Sequence, residues 1–276
     1  MAISTAVVGH VEWVTFARVD HVPAPGEIVH ADDVFELPAG GGPVAAVQLA
    51  KLAGSCTFFT ALGDDELGHR ALAELSELGL HVEAVFRPEP QRRAFTHVDA
   101  AGERTITVMG PRLGPRSDDP LPWDELDDVD AVYFCAGDDD SLRQARRAKK
   151  LVATTREAER LARARVQLDA VAGSGRDPAE RYIEIDPPPK LIVETAGGSG
   201  GRYRTIDGHE GTYAAAPSRS PVVCAYGAGD SFVAGLAFGL GAGYDVDRAL
   251  ALAADCGASV VTGRGPYAAQ LTRERL

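Results

Sequence analysis

The chain of 276 residues has no excess of basic residues: 28 Lys and Arg stand against 40 Asp and Glu, a net charge of −12 with a pI near 5.0. Nucleic-acid phosphates and anionic lipid surfaces would repel it as a whole, so any anionic substrate must be held by a local arrangement of groups. It has no uncharged apolar run approaching the ~18 residues of a membrane-spanning helix. Its start, Met1 to Val8, is apolar but lacks a basic n-region and meets His10 and Glu12 too soon for a signal peptide; it reads as a first strand. Paired cysteines are missing too. Cys56, Cys135, Cys224 and Cys256 sit far apart with no C-x-x-C, and three of them fall in apolar segments where a thiol packs as a small core residue, which fits a reducing cytoplasm. The histidines are dispersed, so the ligand spacing of a zinc or His-based metal centre is absent. No repeat of roughly 20 to 50 residues and no low-complexity tract interrupts the chain. Its length allows one large domain or two small ones around a sizeable core.

What is present is an alternation of short β-rich runs with helical segments, the pattern of a parallel sheet covered by helices. Ile3 to Gly9 begins it. Residues 11–38 depart from it: two short β-like stretches carrying Pro23, Pro25, Gly26 and Pro38 suggest a small antiparallel excursion, a lid. Pro43 to Ala53 predicts a largely buried helix with Gly54 at its end, Thr57 to Leu62 a buried strand, and Asp64 the cap of a helix bearing Leu67, Ala71, Leu75 and Leu78. Residues 94–98 and 104–109 flank the turn Asp99 to Gly102, a hairpin that would complete a lid discontinuous in sequence. The acidic stretch Ser117 to Asp130 reads as a solvated connection with no metal role. Strands are expected at Ala131 to Ala136, Leu151 to Thr155, Leu168 to Ala172 and Leu191 to Thr195, then a small hairpin around Tyr203 and Tyr213 and two final helices.

Gly227-Ala228-Gly229-Asp230 opens an apolar helical run, Ser231 to Leu240. Small residues let backbone N–H groups approach a ligand and a helix N-terminus adds positive potential, so this turn suits an anion such as a transferring phosphoryl group. A carboxylate beside an anion hole is ill placed for binding alone; Asp230 makes sense there as the base taking a proton from an attacking hydroxyl, or simply as a helix cap. A second glycine loop, Thr195-Ala196-Gly197-Gly198-Ser199-Gly200-Gly201, follows a predicted strand, where open α/β sheets place ligands, though hairpin turn chemistry would also explain it. Neither G-x-x-x-x-G-K-[ST] nor a G-x-G-x-x-G after the first strand occurs, which disfavours an ordinary P-loop and a dinucleotide-binding dehydrogenase.

These loops in this order resemble the ribokinase-like, PfkB-type carbohydrate kinases over nearly the whole chain. Cys224 to Asp230 and the small-residue run to Gly239 are similar to that family's C-terminal signature. Thr195, Gly197 and Gly200 match its T-x-G-x-x-G nucleotide loop. Gly40-Gly41-Gly42-Pro43 resembles its N-terminal glycine signature, and Gly63 to Gly68 its G-D-D-x-x-G. The resemblance implies a three-layer α/β sandwich with a central, mostly parallel sheet and a small β lid built from about 11–38 and 94–109, all within one kinase domain. It implies phosphorylation of a hydroxymethyl or other alcohol group of a small sugar or sugar derivative by magnesium-bound ATP, in the cytoplasm. Asp230 would be the base, the amides of Ala228, Gly229 and Asp230 after Gly227 the anion hole, Thr195, Gly197, Gly200 and Asp177 the nucleotide-side contacts, and Gly40, Gly41 and Gly42 the approach for substrate hydroxyls. Glu12 is the candidate for holding those hydroxyls, or else a solvated loop acid. Three departures stand out: the family's sugar-contacting asparagine falls at Val44, the aspartate opening the C-terminal signature is Cys224, and the N-x-x-E motif tied to magnesium is best matched by Ser174-Gly175-Arg176-Asp177. Arg156 either faces the phosphate cleft or lies on a helix surface. A nucleoside kinase with Trp13, Phe16 and Phe35 sandwiching a base, or a relative that binds without turnover, are the alternatives. An apolar lid face bearing Trp13, Phe16, Val34 and Phe35 would favour a homodimer.

Overall fold

The computed structural model describes residues 3–275. Its core is a nine-stranded sheet whose order follows from where the apolar runs fall. Strand β1 (Thr5–Val8), buried along its whole length, sits between β4 (Thr57–Gly63) and β8 (Ala131–Phe134), parallel to both. From β8 the sheet steps outward through β9 (Lys150–Thr154), β10 (Ala170–Ser174) and β11 (Leu191–Thr195), all parallel, and closes with the antiparallel β12 (Gly201–Thr205) and β13 (Glu210–Tyr213). On the other side β4 carries β5 (His81–Arg87) as the edge. Successive residues of a strand face opposite sides. Val7 accordingly joins a core with α1 (Gly41–Ala53), α2 (Glu66–Glu77), α5 (Ala228–Gly241) and α6 (Val246–Val260), while Ala6 and Val8 join a second core with α3 (Asp139–Ala145) and α4 (Ala158–Ala164). Helices on both faces explain why these strands read as continuous apolar runs.

The lid is a separate four-stranded sheet in the order β3 (Asp33–Ala39), β2 (Glu12–Arg18), β6 (Arg93–Val98), β7 (Arg104–Met109). Its two halves come from distant parts of the chain and meet by parallel pairing of β2 with β6, Trp13 beside Arg93 through Arg18 beside Val98. The body holds it at several points. Tyr267 donates its hydroxyl to the Pro38 carbonyl at 2.5 Å, and Arg264 grips Asp33 through two contacts of 2.6 and 2.8 Å while stacking over Phe35. The lid's hairpin tip lies on the segment before α5, where the Ala225 N–H donates to the Gly102 carbonyl at 2.8 Å.

Four expectations need correcting. Asp65, not Asp64, caps α2: its Oδ1 accepts from the Gly68 N–H at 2.9 Å, whereas Asp64 turns to His69. Strand β5 was not foreseen, because its charged, half-buried residues mask the apolar alternation at a sheet edge. The stretch 117–130 is not simply solvated: Trp123 is buried and stacks on Phe59 with ring centroids 5.3 Å apart, and Asp119 is buried against Arg87. Trp13 and Phe16 are buried in the lid's interior, Phe16 stacked on Phe35 at 4.8 Å and edge-on to Tyr226 at 4.9 Å. They form neither a base-stacking platform nor an outward apolar face. The lid's strands do expose Val34, Ile106, Val108 and Met109, and the loop between β2 and β3 exposes Val22 and Ile28.

Candidate active site

Parallel strands deliver the residues that follow them to one edge of the sheet, and the lid stands over that edge. The centre of the arrangement is the start of α5. Gly227 takes φ +83°, a left-handed turn in which a side chain would run into Val44 Cγ1 at 2.9 Å. Val44, fully buried at 0% exposure, is therefore the floor of this turn and not a substrate contact. At Gly229 a side chain would meet nothing within 4 Å: the helix N-terminus faces open space at the point where an anion would be held. Asp230, in the first helical turn, points the other way, its Oδ1 3.0 Å from where a Cβ on Gly41 would lie. Desolvation in this crowded cleft pushes its carboxyl up to about 6; Arg104 and Arg156 oppose the rise and Glu180 and Glu12 add to it. A carboxylate with that proton affinity is ionised near neutrality and still accepts a proton readily.

Opposite Asp230 lie Gly40 and Gly41. The Gly40 N–H donates to the buried Tyr226 hydroxyl at 3.0 Å, joining the two glycine turns directly. Gly40 has φ +91° and would place a side chain 3.3 Å from Glu12 Cγ and 3.5 Å from His10 Nε2. Glu12 is thus a wall of the same cleft rather than a loop acid: it is buried, accepts from Arg92 Nε at 2.8 Å, and stands 3.6 Å from His10. Burial works against ionisation, but His10 and Arg92 outweigh it and hold the Glu12 carboxyl below its ordinary value. Gly42 answers to packing, since a side chain there would strike the His10 carbonyl at 2.6 Å and the Phe58 ring at 2.7 Å.

The second loop turns tightly after β11. Gly197 and Gly200 both adopt positive φ, +60° and +81°, and the Ala196 N–H donates to the Gly200 carbonyl at 2.7 Å. A side chain on Gly200 would meet the Tyr213 carbonyl at 2.1 Å, so this glycine is demanded by the hairpin itself. Thr195 ends β11, and a cavity of about 540 Å³ lined by Ala196, Ser199, Arg202 and Tyr213 opens beside the loop. Asp177 caps a short 3-10 turn through the Ala179 N–H at 2.9 Å and pairs with Arg156 at 2.7 Å. Arg156 also pairs with Glu180 at 2.6 Å. Arg156 therefore belongs to the cleft and not to a helix surface. Glu180 accepts from the Ser174 N–H at 2.6 Å, which brings a second acid back to the end of β10. Cys224 is buried, where desolvation pushes its thiol up, opposed by the neighbouring Tyr226 and Gly265 amides.

His10, Arg92, Arg104, Arg156 and Glu180 all act on Glu12 or Asp230, and sequence reasoning singled out only Arg156. Arg92 and Arg104 bracket lid strands, so their place over the site follows from the lid's pairing, which no local pattern gives. Among the described residues no group of three or more His, Cys, Asp or Glu could hold a metal by itself, and no helix is long and apolar enough to cross a membrane.

Known proteins share this construction. A ribokinase of Dictyostelium discoideum is 32% identical over 112 residues, a match that covers 40% of this chain and 35% of that protein's length. An ATP-dependent ribose-1-phosphate kinase of Halopiger xanaduensis is 26% identical over 280 residues, covering 95% of this chain and 93% of its own. The structure of Arabidopsis thaliana ribokinase complexed with ribose and ATP superposes with a TM-score of 0.75 at 20% identity, over 100% of this chain and 97% of that one, a likeness that establishes the fold. The profile of the pfkB family carbohydrate kinases matches residues 2–185 and 151–273. With that match laid along both glycine signatures and the carboxylate between them, the chain belongs to the pfkB family and is a carbohydrate kinase.

Proposed function

We propose that this kinase transfers the γ-phosphoryl group of magnesium-bound ATP to an alcohol group of a small sugar or sugar derivative, with Asp230 as the general base. The observation that carries this reading is that Asp230 faces Gly41, where a side chain's first carbon would come within 3.0 Å of its Oδ1, beside the open N-terminus of α5. A hydroxyl lying over Gly40 and Gly41 would touch Asp230 on one side and the transferring group on the other. The amides of Ala228, Gly229 and Asp230 stabilise charge on that group, Asp230 takes the hydroxyl proton as the new bond forms, and ADP leaves. The known contacts of Glu12 fall on Oε1, so its Oε2 serves a second substrate hydroxyl.

Thr195, Gly197 and Gly200 carry the nucleotide. Magnesium commonly takes one or two protein carboxylates and completes its shell with water and phosphate oxygens. Asp177 and Glu180, both turned to Arg156, would supply a donor set of that size, and magnesium held there would supply neutralisation of phosphate charge. The four cysteines, all free and buried, support a reducing, cytoplasmic setting. We further read the exposed lid residues Val34, Ile106, Val108 and Met109 as the face through which two copies associate.

The test is ADP release from magnesium ATP against panels of sugars and nucleosides, run alongside Asp230→Asn. Sugar-dependent release that the variant loses supports the proposal. Release that persists in the variant removes Asp230 from its role, and binding without release favours a relative that has given up turnover.

A further inference from the structure

One segment near the end of the chain runs past three parts of the site. Residues 264–271 form neither helix nor strand, and they meet the lid, α1 and the start of α5 in turn. Arg264 holds Asp33, and Gly265 packs so closely on the lid that a side chain there would meet the Phe35 ring at 3.1 Å. Pro266 is a second wall of the Gly227 turn: a side chain on that glycine would lie 3.3 Å from the Pro266 Cβ as well as 2.9 Å from Val44. The Tyr267 hydroxyl bonds the Pro38 carbonyl, on the strand that runs into Gly40, and the Tyr267 carbonyl accepts from Lys51 on α1. Gln270, 2% exposed, then donates from Nε2 to the Val44 carbonyl at 2.8 Å and to Ser231 Oγ at 3.3 Å. Gln48, fully buried on α1, donates in return to the Leu271 carbonyl at 2.8 Å. Ser231 is itself fully buried and follows Asp230 directly. Gln270 thereby joins the residue after the base to the residue that floors the Gly227 turn.

Packing alone does not call for this arrangement. Among the described residues the amide oxygens of Gln48 and Gln270 accept from no group of the protein, and a buried acceptor in that state costs free energy. The Val44 carbonyl has its own place in the hydrogen-bond ladder of α1, so it does not depend on Gln270. A leucine or methionine would fill the same space without bare polar atoms. What the amide adds is direction: a hydrogen bond fixes distance and angle between two elements, where apolar contact leaves them free to slide. The two elements it ties are those whose alignment makes the site, since Gly41 opens α1 and Asp230 lies in the first turn of α5.

We propose that Gln270 is a positioning residue for phosphoryl transfer: through Ser231 and the Val44 carbonyl it fixes the first turn of α5 against α1, and so fixes the Asp230 carboxylate over Gly41. The proposal rests on the reading of Asp230 as the general base. Gln270 touches no substrate; it acts by holding the base where an acceptor hydroxyl lies, and a displacement of about 1 Å in such a group costs about 10²-fold in rate.

The experiment compares Gln270→Met with the parent in ADP release from magnesium ATP across pH, with ribose, fructose and the other sugars of the panel as acceptors. Methionine keeps the length of the side chain and removes both hydrogen bonds. kcat should fall about 10- to 100-fold while KM for sugar and for ATP stays within about twofold. The inflection of kcat/KM should also move to lower pH, because a loosened first turn gives the Asp230 carboxyl more water while the charged groups that act on it, Arg104, Arg156, Glu180 and Glu12, stay in place. Tyr133, Cys135, Tyr226 and Tyr267, whose acidities also feel Asp230, are pushed up by burial and do not titrate in that range. A loss of folded protein would lower kcat without moving the inflection. Ser231→Ala, which leaves the bond to Val44, should move both readouts in the same direction, and the double variant should do no worse than Gln270→Met, since both break one link. Should Gln270→Met fail to fold, Ser231→Ala decides by the same two readouts. A kcat within about twofold of the parent, an inflection that stays where the parent has it, or losses that multiply in the double variant overturn the positioning role and leave the kinase reading standing. No ADP release by the parent with any acceptor overturns the kinase reading and this proposal with it.

Discussion

Replacing Asp230 with asparagine should make the unliganded protein more stable and nearly inactive at once. The structure gives the first effect its size. Lifting the carboxyl from 3.8 to about 6 corresponds to about 3 kcal/mol of penalty on the ionised form in the folded state. Asp230 as a residue is only half-buried, so about 1 to 3 kcal/mol is the expected gain when the charge is removed. At about 2 to 3 °C per kcal/mol for a chain of this size, Tm at pH 7.5 should rise by about 2 to 9 °C. The gain must also depend on pH in a fixed direction. Because the folded-state value is raised, the folded protein keeps this proton when the unfolded chain has lost it, and the parent loses stability relative to the variant as pH rises from about 4 to about 6. The Tm difference should therefore be small near pH 4, grow through that window and level off above it. The second effect is a fall in kcat of about 10² to 10⁴, the range for losing a general base. Differential scanning fluorimetry across pH, with steady-state ADP release on the same samples, checks both. A variant that is less stable at pH 7.5, or a Tm difference that does not change with pH, refutes the account of a desolvated base.

The same base sets the pH profile: kcat/KM should fall about tenfold per pH unit below about 6, with Glu180→Gln moving the inflection down and Arg156→Gln moving it up, since one removes a neighbouring anion and the other a cation. Opposite displacements would mean another group titrates. Gly229→Val points a side chain into open space and should fold normally yet lose thermal stabilisation by magnesium ATP; an unchanged shift would place the nucleotide elsewhere. Because Cys224 is a mostly neutral, soft ligand at the position where the signature this segment resembles has an aspartate, exchanging potassium for a bulky organic cation should change kcat less than about threefold. A larger, saturable activation by potassium would mean other oxygens rebuild that site. Light scattering at micromolar concentration should give a dimer mass, and a monomer with and without sugar removes the lid interface.

What the sequence disclosed depended on whether a feature was local. The buried strands beginning at Thr57, Ala131 and Leu191 were legible because each is a short apolar run bounded by turn residues. The Asp230 turn was legible because Gly227 and Gly229 stand immediately before a long apolar helical run. The cap at Asp65 was missed by one residue: two adjacent aspartates offer the same chemistry, and only the path of the chain decides which reaches Gly68. Glu180 was passed over for Asp177 because the segment after β10 has no periodicity to say which acid folds back. Glu12 was taken for a candidate on position alone, and its burial depends on Arg92, 80 residues away.

The docking of the lid's tip bears on how this enzyme avoids wasting ATP. Gly102 has φ +80°, and a side chain there would strike Val222 at 2.9 Å, so the tip fits the stretch running into α5 without room to spare. The Ala225 N–H finds its acceptor on Gly102, five residues before Asp230. On the mechanism proposed above, lifting the lid to admit or release a sugar would strip that N–H of its partner on the chain leading to α5, so the proposed anion hole would be fully aligned only with the lid down. On that reading the single glycine at the tip would act as an interlock, tying phosphoryl transfer to the presence of an acceptor and holding back idle hydrolysis while the cleft stands open.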